Sequence, residues 1–505
     1  MAKSTLFKDG NNYGELILLI SLLLLTPLIV LPFYPEETEY AYAFLIPAFF
    51  SAALGLMIFF GFRDKGGQPA RPEFMSHMRS GSTPVLFVWC YAFLLGSLPF
   101  FIGRQLPFHL SLFESISGWT TTGLSVADID ALPHIFLFYR SFTQYCGGLG
   151  FIIMITMIIR NRRVASLYNA EGHMDMITPS LKGTAKIIAR IYIIWLCLGT
   201  AAYTLCGMPV FDAVCHTMSA ISTAGFSTQT LSIEAYNSIA IDIVTMVLMF
   251  IGATNFVIIL SLMKGHFIES FRDTEFAFMV KVTVCFGLLT SCVLFISRGY
   301  SAGSALVHGF FGVITTFTTS GYSIEDYTLW PSVNVAALMF LMIIGGCAGS
   351  TAGGIKMNRT YYLLITMIRY LKDQIQSPIR VTTSSYQRNH ISKEMDSKLT
   401  LNAGGFLVCY LLVYTAGTLI LCASTGRSPG DCAFEFGSAL GTVGLSNGIT
   451  SPDASMITLG TEMAAMIMGR LEIVMVLISM YNIYRDINSE FHKIKSKFLS
   501  NKKHN

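Results

Sequence analysis

The chain has 505 residues, of which 53% are apolar and only 13% charged, against roughly 25% charged in an ordinary soluble domain. Its net charge of +4 comes from basic residues interleaved with long apolar blocks, which argues against a nucleic-acid partner. The eleven cysteines show no Cys-x-x-Cys or Cys/His metal spacing and are expected to be small buried hydrophobes. No cluster of His, Asp or Glu suggests an enzyme.

In chain order, apolar blocks cover 14–33, 40–62, 83–103, 133–159, 187–206, 237–263, 277–297, 332–368, 400–423 and 454–482. Each is near or above the roughly 20 residues that a spanning helix needs. Because many blocks follow the first, that block reads as an anchor and not as a cleaved signal. Glu36, Glu37 and Glu39 lie between the first two blocks, with no base among them. Most Lys and Arg fall in the N-terminus, the tail and the loops near 63–79, 160–190, 264–281 and 356–398. The positive-inside rule places both termini and those loops in the cytoplasm.

Between alternate blocks lie apolar segments too short to span: 107–119, 210–221, 303–317 and 430–440. Each leads into one copy of a repeated motif. Thr121-Thr122-Gly123-Leu124-Ser125, Thr223-Ala224-Gly225-Phe226-Ser227, Thr319-Ser320-Gly321-Tyr322-Ser323 and Thr442-Val443-Gly444-Leu445-Ser446 share the pattern Thr-x-Gly-(Leu/Phe/Tyr)-Ser, which occurs nowhere else. Six residues before each glycine stands a hydroxyl residue: Ser117, Ser219, Thr315 or Ser438. The glycines are 102, 96 and 123 residues apart, which leaves room for two membrane helices per interval. A single copy would read as a tight turn after a helix. Four copies on the outer side read as re-entrant loops around one axis, because irregular backbone at membrane depth must be buried in protein or line water. A desolvated cation needs a cage of oxygens, which backbone carbonyls can supply, and glycine reaches the required positive φ. The hydroxyls of Thr121, Thr223, Thr319 and Thr442 can add oxygens at the inner end.

The block from 332 holds five glycines in ten residues, Gly345, Gly346, Gly349, Gly353 and Gly354, followed by Lys356. At about 1 kcal/mol each relative to Ala, they will not hold a helix. A broken helix is expected, with an irregular gate loop beneath the motifs. The spacing of Gly349 and Gly354 superficially matches a phosphate loop, but Ile355 intrudes before Lys356 and no strand precedes it. The competing account is a small-residue packing face. Arg470, in the last block, should face water or a partner at membrane depth, or else snorkel to the inner interface. Asn255 is expected to bridge helices, and His216 to make a helix contact with Asp212. The polar stretch 373–395 reads as a linker.

These four repeats, each a membrane helix (M1), a pore helix with one filter glycine, and a second membrane helix (M2), resemble the Trk/Ktr/HKT superfamily of potassium transporters. Gly345 to Lys356 looks like its intramembrane loop, Gly469-Arg470-Leu471-Glu472 like its fourth-repeat motif, and Gln144, Gly147 and Gly148 like its first-repeat M2 pattern. The two extra N-terminal helices are similar to the bacterial TrkH type. Ala352 departs from the family, which usually has Gly there. The fold expected is an all-α membrane protein with four pseudo-symmetric M1–pore helix–M2 repeats around one ion pore. The divisions are an N-terminal pair (1–62), repeats at 80–163, 181–264, 275–372 and 396–485, the linker (373–395) and a tail (486–505). The resemblance implies transported potassium, a homodimer in the lipid bilayer of the bacterial inner membrane, and a cytosolic, nucleotide-binding regulatory partner of the RCK/KTN type (TrkA-like). The filter residues would be Thr121, Thr122, Gly123, Thr223, Ala224, Gly225, Thr319, Ser320, Gly321, Thr442, Val443 and Gly444. A sodium- or proton-coupled symporter of the same fold is the alternative.

Overall fold

The computed structural model describes residues 10–61, 76–150, 181–375, 385–388, 391–394 and 397–485, together with position 488. The expected inner end of the first-repeat M2 and nearly all of the tail lie outside the described residues.

The N-terminal pair, Gly10–Leu25 and Ala41–Gly61, crosses where side chains are smallest. A Cβ on Gly14 would lie 2.9 Å from the Gly55 carbonyl oxygen, so glycine lets the two backbones meet. The M1 helices are Ser76–Ile102, Leu181–Leu205, Thr274–Arg298 and Ser397–Thr425. The pore helices are Phe108–Trp119, Val210–Ile221, Ala302–Phe317 and Pro429–Gly441, close to the segments the sequence marks. The M2 helices begin at His134, Ile239, Ser332 and Met456.

Each M2 packs on the pore helix of the following repeat, and the fourth M2 returns to the first pore helix. This cyclic contact closes the repeats into a ring. M1 helices lie outside it, with Leu288, Phe295, Ile296, Leu401 and Leu412 exposed, as a lipid-facing flank requires. Cys90, Cys197, Cys285 and Cys292 are exposed on the same M1 flanks, so the expectation of small buried residues fails for them.

The sequence reading breaks the third M2 alone, whereas the structure breaks M2 in other repeats too. In the second repeat, Ile239–Gly252 and Phe256–Met263 meet at 118°. In the fourth, Met456–Arg470 and Ile473–Arg485 meet at 104°. In the first, the described helix ends before Gly150, which has φ 82°. No glycine run marks the breaks in the second and fourth repeats. They are set by tertiary contact: Cβ atoms on Gly252 and Gly469 would lie 2.4 and 2.1 Å from the carbonyls of Ile221 and Leu440 at the C-terminal ends of the pore helices. Asn255 then caps the new helix by accepting from the Val257 N–H at 2.8 Å. The linker contains a two-stranded antiparallel hairpin, β1 (Ser385–Arg388) and β2 (Ile391–Glu394).

Candidate functional site

All four pore helices end in the same turn. Thr121, Thr223, Thr319 and Thr442 take φ values of 55°, 50°, 56° and 53°. The residue after each donates its N–H back to the carbonyl of Ser117, Ser219, Thr315 or Ser438, at 3.0, 2.9, 2.9 and 2.8 Å. This is a Schellman termination, in which the left-handed position is usually glycine. Here a β-branched residue occupies it, at a cost of roughly 1–2 kcal/mol each. The sequence reading assigned positive φ to the glycines and missed the threonines. Gly123, Gly321 and Gly444 do have positive φ (94°, 75° and 94°), but Gly225 is absent from that region.

Close approach explains all four glycines. A Cβ on Gly123 would lie 2.8 Å from the N of Gly225, and one on Gly225 would lie 2.5 Å from the Ser320 oxygen. A Cβ on Gly321 would lie 2.0 Å from the Val443 oxygen, and one on Gly444 would lie 2.2 Å from the Thr122 oxygen. The contacts run from repeat one to two, three and four and back to one. The strands thus converge around one axis, and Thr121, Thr122, Thr223, Ala224, Thr319, Ser320, Thr442 and Val443 are fully buried.

Buried polar struts hold the ring from behind. Glu114, nine residues before Gly123, accepts from Ser125 Oγ (2.6 Å), Val126 N (2.6 Å) and Arg140 Nε (3.1 Å). Arg140 reaches the next repeat at the Ser227 carbonyl, 3.3 Å away. At the matching position in repeat two, His216 contacts Ser227 Oγ at 2.9 Å and the Asp212 carbonyl at 2.8 Å, the local helix contact expected. In repeat four, Glu435 accepts from Ser446 Oγ at 2.6 Å. Gly312 holds this place in repeat three, and Trp330 packs against it. The sequence reading missed these struts, although the register −9 from each glycine carried the signal.

The glycine-rich loop lies against the inner side of the ring. Thr351 Oγ1 is 2.8 Å from Thr223 Oγ1, and Gly353 donates its N–H to Thr319 Oγ1 at 2.9 Å. A Cβ on Gly353 would lie 2.1 Å from Thr442 Oγ1, and one on Gly345 would strike the Gly353 oxygen. Gly349 and Gly354 have φ of 75° and 64°, and Gly346 packs on Ala253. The buried hydroxyls of Thr121 and Thr442 have no hydrogen-bond partner among the described residues, so a cation at that level would find two available oxygens. Arg470 donates to the Thr351 carbonyl (2.5 Å) and the Gly147 carbonyl (2.5 Å). Lys356 donates to the Ala352 carbonyl within the loop. Asn255 bridges to the loop through Ala348 O at 2.6 Å.

Comparison with known proteins identifies the family. The family model described as TrkH, a cation transport protein, matches residues 67–486. An uncharacterized cation transporter of Methanocaldococcus jannaschii is 29% identical, covering 93% of this chain and 94% of its own length. The Trk system potassium uptake protein TrkH of Vibrio parahaemolyticus is 30% identical, covering 92% and 96%. The crystal structure of the potassium transporter TrkH from that organism matches with a TM-score of 0.81 at 28% identity, over 94% of this chain and 98% of the other. The chain therefore belongs to the TrkH family of cation transport proteins.

Proposed function

We propose that this chain is a potassium-selective uptake pore, channel-like and passive or weakly coupled. The observation that carries the reading is the closed ring of four Thr-x-Gly strands, each glycine set against the next strand. Such a ring presents successive backbone oxygens to a permeating ion. Potassium is supported by the Vibrio relative, a Trk system potassium uptake protein, and by glycine in all four repeats. The loop from Gly345 to Gly354, held by Arg470, serves as the gate. The chain sits in the bacterial inner membrane with both termini cytoplasmic, as a homodimer with one pore per subunit. A cytosolic, nucleotide-binding ring of the RCK/KTN type, bound below, moves the gate. Flux in liposomes under a gradient of one ion at a time tests the proposal. Potassium should permeate and sodium should lag, and equal flux of both would overturn the filter. Deleting residues between Cys347 and Gly353 should raise flux, whereas unchanged flux in folded protein would leave the loop a packing element.

A second reading, proton- or sodium-coupled symport, is favoured by one cluster. Thr450 Oγ1 lies 2.5 Å from Glu435 Oε1 and 3.1 Å from Glu462 Oε2, and both carboxyls are fully buried. One hydroxyl proton cannot serve both; Glu435 also accepts from Ser446 Oγ and from the Asn447 and Thr450 N–H groups, so Glu462, whose Oε1 has no partner among the described residues, is the carboxyl that would hold a proton or a cation. Under symport, a pH or sodium gradient would shift the potassium reversal potential, and Glu462→Gln would abolish the shift. A reversal potential that follows potassium alone rejects coupling.

A further inference from the structure

The third-repeat M1 begins with three consecutive polar residues, each with a separate task. Asp273 Oδ1 accepts from the N–H groups of Glu275 (3.1 Å) and Phe276 (3.3 Å) and caps the helix. Thr274 Oγ1 accepts from the Gln387 N–H of β1 at 2.8 Å, which seats the linker hairpin on this helix end. Glu275 is buried at 7% exposure. Its Oε1 accepts from Ala348 N at 2.6 Å, inside the glycine-rich loop, and from Asn358 N at 3.1 Å, just beyond it. One carboxylate oxygen therefore ties the middle of the loop to the first turn of the helix that follows it. Ala348 is also held through its carbonyl by Asn255, so this residue is clamped on both backbone groups.

The hairpin closes the site from outside. Tyr386 is buried and meets Tyr362 of the lower M2 half edge-on at 5.1 Å. Arg388 borders the same small cleft as Thr274, Glu275 and Asn358.

We propose that Glu275 is a positioning residue for the gate and that the hairpin Ser385–Glu394 sets it. With the hairpin seated, Glu275 holds the loop beneath the filter. When the hairpin is pulled away, Arg388 leaves, the cleft opens to water, and Ala348 is released from the helix that follows the loop. The linker is thus the point where a cytosolic partner would act. This inference rests on the gate reading above.

The test uses the full chain in liposomes, without any partner. Glu275→Ala should raise basal potassium flux about tenfold, as loss of its hydrogen bonds to two N–H groups implies. Glu275→Gln, which keeps an acceptor, should recover most of the closed behaviour. Arg388→Ala, at a half-exposed position, should raise flux and speed hydrogen exchange at the Ala348 and Asn358 amides while Glu275 is intact. If Glu275→Ala does not fold, Arg388→Ala decides. If the Cys347–Gly353 deletion raises flux but Arg388→Ala changes neither flux nor exchange, the latch is wrong and the gate stands. If the deletion itself leaves flux unchanged, the gate reading falls and the latch with it.

Discussion

At the scale of single residues, the positions of the proposed filter differ in what a substitution costs. Gly123 has φ 94° and its added Cβ would lie 2.8 Å from Gly225 N. Gly123→Ser therefore strains its own backbone and pushes the neighbouring strand, widening the ring on one side. Potassium-over-sodium discrimination should fall, read as a shift in bi-ionic reversal potential, and an unchanged ratio would remove repeat one from the filter. Arg470 can be separated into charge and tether. Arg470→Ala removes a cation beneath the ring and frees the Thr351 and Gly147 carbonyls, so single-channel conductance or flux should rise severalfold. Lys keeps the charge but lacks the fork. Arg470→Lys should fall between the two, and a pure loss of expression in both would make Arg470 structural. The glycines and Arg470 were legible because their chemistry is unusual at membrane depth. The left-handed threonines were not, since nothing local distinguishes them from ordinary strand residues. Each is placed there by the Schellman turn that ends its own pore helix, where glycine would be the usual residue.

At the scale of elements, the pore helices and M1 helices were readable from length and apolar content, while the M2 breaks in repeats two and four were not. Sequence shows a break when propensity causes it, as in the run from Gly345 to Gly354. It conceals one when a tertiary contact causes it, as at Gly252 and Gly469. The buried pair Glu114–Arg140 makes the same point. Arg140 looks like a stray base on the outer side, yet it is 2% exposed and locks the first pore helix to its M2. Removing one partner of such a pair leaves an uncompensated charge, at roughly 3–5 kcal/mol. Arg140→Met should fall near 3 kcal/mol, because Glu114 retains the Ser125, Val126 and Ala127 donors. Thermal unfolding in detergent would measure it, with the double change Glu114→Gln/Arg140→Met recovering part of the loss. No loss in the single variant would mean that the backbone donors alone hold Glu114.

At the scale of the whole molecule, the N-terminal pair stands outside the fourfold pattern yet touches the ring at one seam. Glu37, in the turn between its helices, accepts from the His134 N–H (2.7 Å) and the Ile135 N–H (2.8 Å) at the start of the first M2. His134 Nδ1 lies 2.8 Å from the same carboxylate. An acidic group at a helix N-terminus satisfies donors that the helix leaves open and complements its dipole. Tyr34 stacks on His134 at 3.9 Å and meets Phe211 of the second pore helix edge-on at 5.6 Å. The pair is therefore a clasp across the seam between repeats one and two. It contributes no oxygen to the proposed filter and no contact to the glycine-rich loop among the described residues. Glu37→Ala should lose about 1–3 kcal/mol, the range for hydrogen bonds to a charged group, and lower the apparent melting temperature in detergent. Potassium selectivity of the surviving protein should be unchanged. The acidic cluster of Glu36, Glu37 and Glu39 offers an internal control, because only Glu37 of the three is buried. Glu36→Ala and Glu39→Ala should leave stability alone. If all three variants melt together, or if Glu37→Ala changes selectivity while stability holds, the clasp is not mechanical and the N-terminal pair acts on the pore itself.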